Sequence, residues 1–157
     1  YKAARGSHTM HMIWTEDLNT GIAEIDAENR KIVNYINALS DAREAGDNAV
    51  LGNTLDNLLD YAVNHFLFEE HLMAEANYKY RASHEAIHEM FAKKLADLRG
   101  RHGNGEDVHD HLVTMLRDWV NVHIRQEDQK YAEAVNQTIE QEGGQSWISG
   151  VMKKLFG

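Results

Sequence analysis

Four histidines and two acids in this chain fall at spacings that bring metal-binding chemistry within reach. His65 and Glu69 are four residues apart, as are His84 and His88, and residues four apart stack on one side of a helix. His65 also lies seven after Leu58. His84 and His88 share a side with Ile87, Phe91 and Leu95, and His123 lies four after Trp119 and seven after Leu116, so each histidine falls on an apolar stripe. Asp128 follows His123 by five. That is about 500° of α-helix, or about 140° off the same face. The two converge only where the helix is locally widened, as in a single-turn π-bulge, a feature that recurs at functional sites.

Taken singly, an inward histidine is usually a hydrogen-bonded core residue. Buried carboxylates are different, because they are costly unless paired or metal-bound. Six inward polar groups on three helices cannot satisfy one another without leaving stray charge. Four imidazoles and two carboxylates in a bundle interior instead match a dinuclear site in which carboxylates bridge two ions. Imidazole with carboxylate suits iron, and also zinc or manganese.

The elements that must position these groups follow from composition and periodicity. The chain has 157 residues, 43% of them hydrophobic, with no proline and no cysteine. This length suits one domain with a real core. Absence of cysteine excludes a disulfide framework, a thiolate metal site and a cysteine nucleophile. Absence of proline suits uninterrupted helices. Residues 1–11 (YKAARGSHTMH) read as an expression-tag leader, which sets aside His8 and His11. The net charge is -9, the wrong sign for a nucleic-acid partner. No apolar run reaches the length of a membrane span, and a cytoplasmic or otherwise soluble protein is expected.

Four long stretches carry helical periodicity. The first follows Gly21, with Ile22, Ile25, Asn29, Ile32, Val33, Ile36 and Leu39 at spacings of three and four, and ends near Gly46. The second runs from about Asn48 to Ala76, and the third from about Arg81 to Arg99 with Ile87, Met90, Phe91 and Leu95 inward. Residues 100–105 (GRHGNG) read as a loop. The fourth stretch starts near Glu106 or Asp107 and runs toward Glu142. The expected fold is all-α, an up-down-up-down four-helix bundle over residues 12–142. Residues 143–157 form a hinge at Gly143 and Gly144 and a short amphipathic helix, with Ser146 as its N-cap. Its apolar stripe (147, 148, 151, 152, 155, 156) either folds back on the bundle or docks on a partner protein or membrane surface.

His65-x-x-x-Glu69, His84-x-x-x-His88 and His123-x-x-x-x-Asp128, in that order on successive helices, resemble the hemerythrin family, and more narrowly the bacterial single-domain bacteriohemerythrins. Trp14, Gly21-Ile22-x-x-Ile25-Asp26, His65-Phe66-x-x-Glu69-Glu70-x-x-Met73 and Trp119-x-x-x-His123-Ile124 support the likeness, which spans about Met12 to Gln141. The resemblance implies two non-heme iron ions joined by a bridging oxo or hydroxo group, with O2 as the ligand. It implies that His84, His88 and His123 hold the first iron, that Glu69 and Asp128 bridge, and that His65 holds the second. O2 storage, delivery or sensing is then the expected function, and a carrier or sensor is favoured over an enzyme.

One position departs from the pattern. Where the family has its first-helix histidine this chain has Asn29, on the apolar face four after Ile25 and three before Ile32. Asn29 is either a core amide hydrogen-bonded to a ligand or water, or a weak carbonyl ligand. Either way the second iron loses an imidazole and gains an open position. A diiron oxidase, peroxidase or NO-handling protein is therefore the alternative, and an adaptor with a structural metal is a third reading. Ile25 and Trp119 are expected to wall the pocket. His71, His102, His109 and His111 read as surface.

Overall fold

The computed structural model describes residues 11–157, so the proposed leader, His11 aside, lies outside the described residues. A 3-10 turn at Glu16–Leu18 precedes α1 (Ala23–Ala45), α2 (Ala49–Glu75) and α3 (Arg81–Gly103). The fourth rod is continuous but changes pitch: α4 (His109–Asp118), a π-helical segment (Trp119–Glu127) and α5 (Asp128–Glu142). A last helix, α6, covers Gln145–Phe156. The described residues contain no strand. Helix α2 packs against both α1 and α3, and α1 packs against α4, closing a four-helix bundle.

The apolar stripes account for this packing. Ile32, Ile36 and Leu39 of α1, Leu55 and Leu58 of α2, Leu95 of α3, and Leu112, Leu116 and Val120 of the fourth rod form one fully buried cluster. A second cluster, at the other end of the bundle, joins Ile22, Ile25, Phe68, Leu72, Met73, Tyr131 and Val135 to Ile148 and Val151 of α6. The site residues lie between these two apolar layers, which is why six polar side chains are buried there.

Several local expectations change. The loop expected at 100–105 opens only at its end, since α3 continues through Gly103 and the chain turns at Asn104 and Gly105. The His102 ring lies against Gly52 of α2, where an added Cβ would come within 3.3 Å of it, and Arg101 is held by Asp97 and Glu106. These contacts offset the roughly 1 kcal/mol cost of each helical glycine. The fourth rod begins at His109 rather than 106 or 107, because Asp107 stands outside the helix. There Asp107 accepts from the His109 amide at 3.2 Å and pairs with both Arg43 amino nitrogens at 3.1 Å.

Met90 is 58% exposed rather than buried, as it sits one residue off the His84–His88–Phe91–Leu95 seam. Ser146 does not cap α6. Gly143 (φ +108°) and Gly144 (φ +64°) reverse the chain, so α6 begins at Gln145, and the Ser146 hydroxyl donates back to the Gly143 carbonyl at 3.0 Å. The terminal stripe folds back onto α2 and α5.

Candidate metal centre

Each site residue is placed by a short-range device. At the start of α1, the Asp26 carboxylate accepts from the Thr20 amide and hydroxyl (both 2.8 Å) and the Gly21 amide (3.2 Å). This clamp sets the angle at which α1 approaches and so the position of Asn29, one turn on. On α2, His65 and Glu69 lie one turn apart, and His65 Nε2 meets Glu69 Oε2 at 2.9 Å. On α3, His84 and His88 occupy the first two turns.

The fourth rod needs its pitch change. Five residues separate His123 from Asp128, and the Asp128 amide donates to the His123 carbonyl, an i→i−5 bond of π type. With this widening both side chains reach the interior, and His123 Nε2 lies 3.0 Å from Asp128 Oδ1. The widened region spans nine residues, longer than the single-turn bulge that the spacing alone requires.

The six residues converge and are buried, each at most 4% exposed. Ligand atoms of Glu69, His84, His88 and His123 all lie within 4.8 Å of one another. Glu69 Oε1 is 3.0 Å from His88 Nε2 and 3.6 Å from His84 Nε2. Asp128 Oδ1 is 3.3 Å from His84 Nε2. These close approaches lack hydrogen-bond alignment: Glu69 Oε1, Asp128 Oδ1 and the Nε2 atoms of His84, His88 and His123 are all buried without a partner. Unpaired buried polar atoms are rare and each calls for a cause. Four of them gather within 4.8 Å and Asp128 Oδ1 lies beside two of those imidazoles, which fits a cation, and three imidazoles with two carboxylates fit iron among the common ions.

Aromatic plates and outer hydrogen bonds hold these ligand atoms. Phe66 stacks on His88 (3.9 Å between centroids), Trp119 on His123 (3.8 Å) and Tyr61 on His65 (4.7 Å). His88 Nδ1 bonds Glu70 at 2.8 Å, which frees Nε2 to point inward. Tyr131 donates to Glu69 Oε2 at 2.9 Å. Sequence reasoning assigned no part to Glu70, Tyr131 or Tyr61. Their signals were present, one after Glu69, three after Asp128 and four before His65, but they carry meaning only once the site is known.

Electrostatics agree with a cation-seeking cluster. Burial pushes Glu69 toward neutrality, but His65, His84 and His88 together hold its pKa well below the carboxylate range. Burial lowers His84, yet Asp128 and Glu69 outweigh it and hold its pKa up at about 9.

Asn29 is fully buried and both ends of its amide are engaged. Its nitrogen donates to Asp128 Oδ2 at 3.3 Å and its oxygen accepts from Tyr61 at 2.9 Å. Trp119 lines a groove of about 730 Å³ between α3 and the fourth rod that reaches His123. A second groove of about 530 Å³, between α1 and α2, reaches Tyr61 and His65, with Glu24, Glu28 and Asp60 among its walls and Met152 and Phe156 of α6 at its edge. Ile25 packs in the layer beside the site with Phe68 and Tyr131. Of the outlying histidines, His71 and His111 are exposed, whereas His109 is mostly buried and its Nε2 bonds the Leu39 carbonyl at 2.8 Å.

Comparison with known proteins agrees with this arrangement. Residues 20–135 match the model of the hemerythrin HHE cation-binding domain. A bacteriohemerythrin of Pseudomonas paraeruginosa is 40% identical over 153 residues, covering 94% of this chain and 99% of that one. One from Stenotrophomonas maltophilia is 40% identical over 93% of this chain and 98% of its own. A crystal structure of a hemerythrin point mutant superimposes with a TM-score of 0.72 at 33% identity, over 80% of this chain and 98% of that one. With the inward histidines and carboxylates already placed on a four-helix bundle, these matches show that the chain belongs to the hemerythrin family, alongside the bacteriohemerythrins.

Proposed function

We propose that this chain is a non-heme iron protein with two iron positions, binding O2 for storage, delivery or sensing. The observation that carries the reading is the set of five buried, unpartnered ligand atoms from Glu69, Asp128, His84, His88 and His123. In this reading His84, His88 and His123 hold the first iron, Glu69 and Asp128 serve both positions through their paired oxygens, and His65 belongs to the second. Ferrous iron supplies the electron density that O2 binding draws on. The chain's own residues do the rest. Phe66, Trp119 and Tyr61 fix the imidazole planes by stacking, and Glu70 fixes the His88 tautomer. The apolar clusters pack on either side of the site, which favours reversible binding over irreversible oxidation of the iron.

A second reading, a diiron oxidase, peroxidase or NO-handling protein, is favoured by Asn29 standing where the family has a ligand and by the groove that reaches His65. Anaerobic loading with ferrous iron, exposure to O2 and then removal of O2 separates the two. A visible absorption that appears with O2 and disappears on its removal, over repeated cycles, is the expected result. Irreversible bleaching with iron oxidation in the first cycle favours the second reading, and failure to bind iron sinks both.

A further inference from the structure

We infer that Asn29 is a lock: fixed by Tyr61, its amide hydrogen-bonds the Asp128 oxygen that a second ion needs, so the chain fills its three-histidine position first and holds a second ion much more weakly. This rests on the iron reading of the same site and sharpens it.

The two bridging candidates have their oxygens sorted. Glu69 Oε1 and Asp128 Oδ1 face His84, His88 and His123 and are unpartnered. The other two oxygens are already occupied. Glu69 Oε2 accepts from Tyr131 and meets His65 Nε2, both at 2.9 Å. Asp128 Oδ2 accepts from Asn29 at 3.3 Å. A second ion needs those two oxygens together with a histidine nitrogen, and it must displace these bonds to reach them. His65 retains one unpartnered nitrogen, Nδ1. The His65 nitrogen on the Glu69 side, Nε2, is therefore engaged as well.

Tyr61 decides which way the Asn29 amide faces. Trp119 Nε1 donates to the Tyr61 oxygen at 3.4 Å, which leaves the Tyr61 proton to donate to Asn29 Oδ1 at 2.9 Å. The amide nitrogen is thereby turned toward Asp128. Reversing the amide would set its oxygen against Asp128 Oδ2, acceptor facing acceptor, and leave the phenol proton without an acceptor. Asn29, Tyr61 and Trp119 are all buried, at 0%, 5% and 7% exposure. The same amide cannot hold this bond to Asp128 and offer its oxygen to an ion. The lock thus weakens the second position twice, by withholding a ligand and by engaging the carboxylate.

The test is an anaerobic titration of the full chain with Fe2+, and in parallel with Co2+, whose absorption reports coordination. In the wild type the first ion binds tightly and the second about 10–100-fold more weakly, or beyond that, the scale on which metal sites respond to lost ligand support. Asn29→His should bring the second constant to within about tenfold of the first on the same scale. Tyr61→Phe should tighten the second constant relative to the first, because the freed amide can turn its oxygen inward. Far-ultraviolet circular dichroism shows whether each variant keeps its helices. Two ions bound to the wild type with equal constants overturn the inference while leaving the iron reading intact. An Asn29→His chain with an unchanged second constant overturns it too, and an unresponsive Tyr61→Phe removes Tyr61 from the lock. A wild type that takes up no ion overturns the iron reading itself.

Discussion

The backbone amide of Asp128 donates to the carbonyl of His123, five residues back, while their side chains meet at 3.0 Å inside the bundle. This backbone bond thus ties the two candidate ligands of the fourth rod into a single unit. His123→Ala should therefore remove more than one imidazole. It deletes an unpartnered buried nitrogen from the first position and the Trp119 stacking partner. We expect a loss of metal affinity beyond about 100-fold, larger than the effect of losing an outer partner, with the helical content retained. Metal analysis after gel filtration, read beside circular dichroism, checks this; full metal content in the variant would show that the site lies elsewhere.

Tyr131→Phe keeps the ring and removes one hydroxyl. Glu69 Oε2 then loses a buried donor at 2.9 Å but keeps His65. The expected cost is about 1 kcal/mol of folding stability, the usual net value of such a bond, with affinity for the first ion lowered about tenfold because Glu69 Oε1 loses the bond that orients it. Urea denaturation and a competitive chelator titration measure the two effects. Unchanged metal affinity would mean that Tyr131 only packs.

Removal of residues 145–157 exposes Ile22, Phe68 and Leu72 of the second cluster and removes the buried Ile148 and Val151. Each of those two side chains is worth about 1.5–3 kcal/mol by burial, so a clear fall in Tm is expected. None of the metal-facing atoms belongs to α6, so metal stoichiometry should stay unchanged. A truncated chain that loses metal would show that the site depends on the tail through Tyr131.

Metal uptake should be linked to protons. Burial opposes charge on His84, but Asp128 and Glu69 raise its pKa from 6.5 to about 9. With metal stripped, this imidazolium stabilises the fold fully below about pH 6.5, and that contribution fades as the pH rises through about 9. An incoming ion must expel the proton. Apparent affinity should therefore climb about tenfold per pH unit per proton displaced between pH 7 and 9, then level off. His88, lowered by burial but raised more by Glu69 and Glu70, adds in the same direction. Chelator competition at several pH values gives the slope, and a flat profile below pH 9 would contradict the assignment of His84.

The chain's own spacing determined which side chains face inward. Four-residue steps put His65 over Glu69 and His84 over His88 on apolar stripes, and the odd five-residue step from His123 to Asp128 demands a widened helix. Angles around a helix are set locally, by the 3.6-residue repeat, so they can be read from one sequence. Distances between helices are not local. Only the packed bundle decided that Glu69 Oε1 and Asp128 Oδ1 point at three imidazoles while their partner oxygens turn to Tyr131, His65 and Asn29. It also decided that Tyr61 reaches Asn29, 32 residues away, and that the terminal helix lies on α2 and α5. The same physics explains the glycine stretch at 100–105, where local propensity favoured a loop and the contact of His102 with Gly52 carried the helix through Gly103. Which residues can meet follows from their spacing, and which atoms do meet follows from the packing of helices far apart in the chain.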